Sequence, residues 1–217
     1  MGRHHSTSAI VLAGGVSRRL GRNKGLVKLA GRPLISHVLS RLKDVVDEVV
    51  IVVSSQTQKE KIGLAINGGV DIVVDEGEIQ TPLVGALRGF TSVQSSYSLL
   101  LPCDTPLLST EILSFLLEIC VGKSAAIPRW PNGNIEPLHS AYNALAAAKA
   151  AERALQEQRF DMRAMISNMN YTRYVSTTAL QIFDPQLTSF LNVNTQFDLK
   201  RVETAVGSQL PAPTTRC

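Results

Sequence analysis

Five consecutive β-branched residues, Val49-Val50-Ile51-Val52-Val53, constrain the fold of this chain more than any other feature. A strand wetted on one face alternates apolar and polar residues. This run is apolar on both faces, so it belongs in the middle of a sheet covered on both sides. Shorter apolar runs recur at residues 9–13, 70–74, 97–101 and 125–128. Between them, Ile35, Val38, Leu39 and Leu42 repeat at helical spacing behind Pro33, and residues 83–93 and 109–120 read as further helices. Strands that alternate with amphipathic stretches predict an α/β fold, with parallel strands joined by crossover helices.

Beyond Ile127 the pattern is less regular. Pro128, Pro131, Asn132-Gly133 and Pro137 punctuate it, and Asn132-Gly133 is expected to turn a short hairpin before residues 138–142. Residues 143–158 read as an alanine-rich helix and 195–206 as a closing helix, with Asn194 or Thr195 as N-cap and Asp198 in the first turn. The chain has 217 residues, 44% of them hydrophobic and 18% charged. A single domain over residues 1–210 is expected, with an acceptor-side or lid insertion at about 129–175 and a disordered tail over 211–217.

The net charge is +4, but the basic residues are dispersed except between Arg18 and Lys28, which fits one local anion site and excludes a long nucleic-acid footprint. Cys103, Cys120 and Cys217 show no CxxC spacing, so neither a disulfide framework nor a zinc site is indicated, and a reducing, cytoplasmic compartment fits. No apolar run approaches the roughly 20 residues that span a bilayer, and residues 1–8 lack the apolar core of a secretory signal, so no membrane association is expected.

The first apolar run leads directly into Leu12-Ala13-Gly14-Gly15-Val16-Ser17-Arg18-Arg19-Leu20-Gly21-Arg22-Asn23-Lys24-Gly25-Leu26. Glycines let backbone N–H groups approach an anion, and Arg18, Arg19 and Lys24 supply charge for a triphosphate. The loop is neither a G-x-G-x-x-G dinucleotide fingerprint nor a G-x-x-x-x-G-K-[ST] P-loop, so it binds phosphate in a third way. In Leu100-Leu101-Pro102-Cys103-Asp104-Thr105-Pro106, Asp104 follows an apolar strand at the edge that faces ligands in open α/β sheets. There it can hold Mg²⁺ or cap a turn. Cys103, without a basic partner, reads as packing. Asp75-Glu76, followed by Thr81-Pro82-Leu83-Val84-Gly85, can present acceptors to the N1–H and N2–H donors of guanine or form a solvated acidic loop. Asn192 and Asn194 straddle Val193 at strand period, so both can face one side, although helix capping by Asn194 is the other reading.

Taken in order, four motifs over residues 10–202 resemble the molybdenum cofactor guanylyltransferase family of nucleotidyltransferases. They are the LAGG-x-S-R-R-x-G-x-x-K-G-L loop with Leu29-Ala30-Gly31-Arg32-Pro33-Leu34, Pro82-Leu83-Val84-Gly85, Pro102 to Pro106, and Asn192-Val193-Asn194-Thr195. The resemblance implies a Rossmann-like nucleotidyltransferase fold, a mostly parallel central sheet with helices on both faces. It also implies transfer of GMP from Mg²⁺-bound GTP to the terminal phosphate of a molybdopterin-type cofactor, giving a guanine dinucleotide and pyrophosphate. By the same resemblance Arg19 and Lys24 hold phosphates and Asp104 binds Mg²⁺. Leu12, Ala13, Gly14, Gly15, Arg18, Asp75 and Gly85 surround the nucleotide, and Asn192, Asn194 and Arg163 approach the acceptor. Transient contact with cofactor-biosynthesis or acceptor proteins is a further implication.

Three positions depart from the family pattern: Asn23 where an aspartate commonly precedes Lys-Gly-Leu, Ser54-Ser55-Gln56 where many members carry asparagine, and Thr81 where glycine precedes Pro-Leu. The first removes an anchoring ion pair for Lys24, and the other two bear on base recognition. Residues 136–142 resemble an acceptor-side segment, within which His139 reads as a core histidine. A cytidylyltransferase of the same cofactor is the nearest alternative, although such relatives usually read LAAG. A non-catalytic nucleotide-binding module would lack the loop cations or the acid, all of which are present. Sugar-phosphate nucleotidyltransferases need an x-G-T-R-x-x-P-x-T run, absent here.

Overall fold

The computed structural model describes residues 6–17, 22–66, 68–77 and 79–209. The chain runs β1 (Thr7–Leu12), two small ribbons formed by β2 (Val16–Ser17) with β3 (Arg22–Asn23) and β4 (Lys28–Leu29) with β5 (Arg32–Pro33), then α1 (Leu34–Leu42), β6 (Glu48–Val53), α2 (Gln56–Ala65), β7 (Asp71–Val74) and α3 (Pro82–Ser92). It continues with β8 (Tyr97–Pro102), α4 (Thr110–Cys120), β9 (Ala125–Arg129), β10 (Ser140–Asn143), α5 (Ala144–Gln156), α6 (Met162–Ser167), β11 (Thr172–Ser176), α7 (Thr177–Leu180) and α8 (Gln196–Gln209).

Seven strands form one sheet in the order β11-β9-β10-β8-β1-β6-β7, parallel except for β10, which runs antiparallel to β8 and β9. As its composition requires, β6 is interior, parallel to β1 and β7, and Val50 to Val53 are buried. One face of the sheet packs on α1, α2 and α4 through Ile35, Val38, Leu42, Ile62, Ile112 and Leu116. The other packs on α3, α5 and α6 through Leu83, Phe90, the α5 alanines and Met165. The expected mostly parallel sheet with helices on both faces is the fold observed. Small residues on α5 and α3 let the helices sit close. A Cβ added at Gly89 would fall 2.3 Å from Ile10 Cγ2, so only glycine admits the contact of α3 with β1.

Elements read from periodicity are present within a few residues of their expected ends. The hairpin expected at Asn132-Gly133 is a turn with Gly133 at φ +86, closed by a single antiparallel bridge between Arg129 and Ile135. Four elements carry no clear sequence signal. Helix α2 buries only Ile62 along its length, α6 and α7 are short, and β11 is an edge strand in which no residue is fully buried. Arg18, Arg19 and the tail over 211–217 lie outside the described residues, as does Cys217.

Topology places the site. From β1 the chain steps outward to β6 and β7, then returns to β8 on the other side of β1, and a ligand crevice opens where the strand order reverses. Because β10 is antiparallel, the residues that precede it open on the same edge as those that follow β8. Four strand spacings separate β7 from β10, roughly 19 Å, enough for two substrates side by side.

Candidate active site

A cavity of about 840 Å³ occupies this crevice, near the top of the range of roughly 300–1,000 Å³ usual for small-molecule sites. Leu12, Gly14 and Gly15 line it from the end of β1, Ser54 from β6, and Asp75 from β7. Thr81, Pro82 and Gly85 border it from the first turn of α3. Gly14 is held rather than free. Its carbonyl accepts Ser54 Oγ at 2.9 Å and Gln58 Nε2 at 3.1 Å, and a Cβ there would meet the Ser54 backbone nitrogen at 3.1 Å. Ser54-Ser55-Gln56, a departure in sequence, is thus the start of a clamp on the glycine loop, with Ser55 capping α2 through the Gln58 N–H.

Thr81, the other departure on this side, caps α3 by accepting the Val84 N–H, with Pro82 at the first helical position. The N-terminus of an 11-residue helix therefore borders the cavity, and its partial positive charge favours anions or acceptor groups nearby. Asp75 is buried, its backbone N–H bonded to the Val53 carbonyl at 2.7 Å and its Oδ1 accepting the Gly77 N–H at 3.2 Å. Gly85 brings the helix within 3.5 Å of Leu12 Cδ2 for a hypothetical Cβ, and Ala13 turns into the core with its N–H on the Val52 carbonyl.

At the centre, Lys24 Nζ lies 3.0 Å from Asp104 Oδ2 and donates also to Asn194 Oδ1. The partner that Asn23 cannot supply is supplied by Asp104. Asn23 instead caps the turn at Lys24–Leu26 by accepting the Gly25 N–H at 3.0 Å, leaving its own buried Nδ2 without a partner. Asp104 is 6% exposed, at the end of β8 as its position after an apolar run implies. Cys103 beside it is buried. Burial above all, and the adjacent Asp104 carboxylate, push its thiol far above the usual range, so it stays protonated and serves packing.

The segment carrying Asn192 and Asn194 is tied to Asp104 by the Val193 N–H on the Asp104 carbonyl at 2.9 Å. Val193 buries among Leu29, Leu34, Leu107 and Val202, and the two asparagines line the cavity, the alternation that strand period implies. Thr195 and Asp198 close the first turn of α8 reciprocally: Asp198 Oδ2 accepts the N–H groups of Asn194 and Thr195, and the Asp198 N–H bonds Thr195 Oγ1. The Thr195 hydroxyl bond, foremost, holds the Asp198 carboxyl below its ordinary range. Asn194 is thereby left to face Lys24 instead of capping.

The far end of the cavity is formed in part by the segment over residues 136–142 that resembles an acceptor-side segment. Glu136, Pro137, Leu138, His139 and Met162 line it. Arg163, by contrast, is exposed outside the lining and bonds Asn134 Oδ1 at 3.3 Å. Among the described residues no cluster of three or more His, Cys, Asp or Glu side chains could hold a metal, and no helix is long and apolar enough to cross a membrane.

A family model described as the MobA-like NTP transferase domain matches residues 9–172. The probable molybdenum cofactor guanylyltransferase of Methanosarcina mazei is 34% identical over 200 residues, covering 90% of this chain and 89% of that protein. The molybdenum cofactor guanylyltransferase of Desulfosudis oleivorans is 30% identical over 203 residues, covering 93% and 96%. Molybdopterin-guanine dinucleotide biosynthesis protein A from Archaeoglobus fulgidus superposes with a TM-score of 0.79 at 28% identity, covering 94% of this chain and all of that one. The chain belongs to the MobA-like NTP transferases, within their molybdenum cofactor guanylyltransferase family, and is a nucleotidyltransferase.

Proposed function

We propose that this enzyme transfers GMP from Mg²⁺-bound GTP to the terminal phosphate of a molybdopterin-type cofactor, releasing pyrophosphate. The observation that carries the reading is the contact of Lys24 with both Asp104 and Asn194 at the middle of a cavity whose two ends are built differently. A lysine joined to the acid on one side and to the Asn192–Asn194 segment on the other sits where a donor nucleotide and an acceptor would meet. The guanylyltransferase relatives support the same substrates.

On this reading the Gly14-Gly15 loop, Arg18 and Arg19 receive the phosphates, and Asp75 with the backbone near Gly85 receives guanine. Asn192 and Asn194 hold the acceptor phosphate, and Arg163 reaches the acceptor only from the rim. Phosphate attack on an α-phosphorus needs no protein base, so the chain contributes alignment and charge neutralisation. One buried carboxylate with open cavity beside it suits an oxygen-loving ion that completes its shell with water and substrate phosphates, and Asp104 would hold Mg²⁺. When bound, the ion supplies positive charge to the phosphate oxygens. Lys24 keeps Asp104 oriented before substrate arrives and offers its ammonium to the phosphates afterwards. A GTP supply and reduced cysteines fit a cytoplasmic setting.

The reading is tested by incubating the full chain with GTP, Mg²⁺ and molybdopterin and identifying the guanine dinucleotide by mass. Product from the wild type, with Asp104→Asn slowed roughly a hundredfold or more at an unchanged melting temperature, is expected. Absence of product from the wild type, or full activity in Asp104→Asn, contradicts it.

A further inference from the structure

Gln58, in the first turn of α2, reaches the glycine loop through its side-chain amide. Its Oε1 accepts the Ser54 backbone N–H at 2.9 Å, which fixes the way the amide faces, and its Nε2 donates to the Gly14 carbonyl at 3.1 Å. The Ser54 hydroxyl lies 2.9 Å from the Gly14 carbonyl and 2.9 Å from Gln58 Oε1. It has one hydrogen for these two acceptors, so the Gly14 carbonyl keeps at least the amide donor whichever way the hydroxyl turns. Helix α2 buries only Ile62, so apolar packing does little to place its first turn, and these bonds do.

The consequence falls on the next residue. The Gly14–Gly15 peptide is trans and planar, so its C=O and N–H point in opposite directions. A carbonyl held by Ser54 and Gln58 therefore turns the Gly15 N–H away from them. Gly15 lines the cavity, and its N–H has no partner among the described residues. Such an N–H suits an anion only while the peptide keeps this orientation, because a flip would present the carbonyl oxygen instead. Glycine on both sides leaves this peptide free to flip, since neither residue carries a Cβ to oppose the rotation.

We infer that Gln58 is a positioning residue for the donor nucleotide: with Ser54 it locks the Gly14–Gly15 peptide so that the Gly15 N–H, and not the Gly14 carbonyl, meets a phosphate. The assignment rests on the nucleotide reading of the glycine loop. The two side chains back each other up, since either alone supplies the Gly14 carbonyl with a donor. A carboxylate at position 58 would undo both. It has no N–H to give, and as the stronger acceptor it draws the single Ser54 hydroxyl hydrogen to itself.

The full chain carrying Ser54→Ala, Gln58→Met, both changes together, or Gln58→Glu is titrated with GTP in Mg²⁺ by calorimetry, beside the wild type and with melting curves to follow folding. Each neutral single variant is expected to lose less than about twofold in GTP affinity and the double variant at least about tenfold, the scale of a lost hydrogen bond to a charged group. Gln58→Glu should match the double variant, even though an acid in the first turn favours α2 itself. NMR of the glycine-labelled chain reads the peptide directly. The Gly15 amide signal, assigned through Gly15→Ala, should move when GTP is added to the wild type and stay in place in the double variant and in Gln58→Glu. A Cβ at Gly15 meets nothing within 4 Å, so the assignment variant is expected to fold. If the double variant does not fold, Gln58→Glu against Gln58→Met decides alone. Losses that simply multiply in the double variant, equal affinities in Gln58→Glu and Gln58→Met, or a wild-type Gly15 signal that GTP leaves in place overturns the assignment. A wild type that responds as expected but forms no guanine dinucleotide would uphold the positioning role and refute the reaction, whereas one that binds no GTP refutes both.

Discussion

The two ends of the cavity are made of different material. The end at β1, β6 and β7 is shaped by backbone: Gly14 clamped by Ser54 and Gln58, Gly15, and the first turn of α3 brought close by Gly85 and Gly89. The end at β8 and β10 is shaped by side chains, with Glu136, His139 and Asn192 in its lining and Trp130 and Phe190 behind. Backbone fits a shape repeated in every substrate molecule, a polyphosphate.

Lys24, at the seam, gives the largest expected effect. If it serves the phosphates, Lys24→Ala weakens GTP binding by about 1.5–3 kcal/mol, the scale of hydrogen bonds to charged groups, and weakens GMP binding less. Titration calorimetry of both nucleotides, with a melting curve as control, checks this. Equal losses for GMP and GTP would move Lys24 out of the phosphate contacts and erase the seam.

The side-chain end should also reveal itself in pH-dependent stability. His139 has a native pKa of about 4 against an ordinary value of 6.5. The unfolded chain binds this proton below pH 6.5 and the native chain does not until about pH 4. Stability therefore falls as pH drops through that window, by about 3 kcal/mol at most for such a shift. Denaturant unfolding at pH 7 and 4.5 should show a smaller drop in His139→Phe than in wild type. The same drop in both would mean that the imidazole is solvated and that the far wall is not dry.

Legibility in the sequence followed the same division. The glycine loop and Asp104 could be read because each constraint is local: each directly follows an apolar strand, Gly14 after β1 and Asp104 after β8. The Asn192–Asn194 alternation was legible for the same reason, with Val193 buried between them. The 136–142 segment came only from the resemblance, and its packing could not be read locally, since it depends on an antiparallel strand within a parallel sheet and on Phe190, far along the chain. A single buried isoleucine left α2 without periodicity, and Gly89 shows its purpose only against Ile10. Arg163, taken from the resemblance, bonds Asn134 outside the lining, to which α6 contributes Met162.

The central claim is that the backbone-built end selects guanine for transfer to the acceptor. Steady-state pyrophosphate release with saturating molybdopterin and GTP, ATP or CTP tests it most directly. Asp75 offers carboxylate acceptors that guanine's N1–H and N2–H satisfy and adenine's N1 acceptor does not, and an unpaired buried acceptor costs on the order of 1–3 kcal/mol. GTP turnover at least about tenfold above ATP, and further above CTP, is the predicted result. CTP turnover equal to or above that of GTP would contradict it.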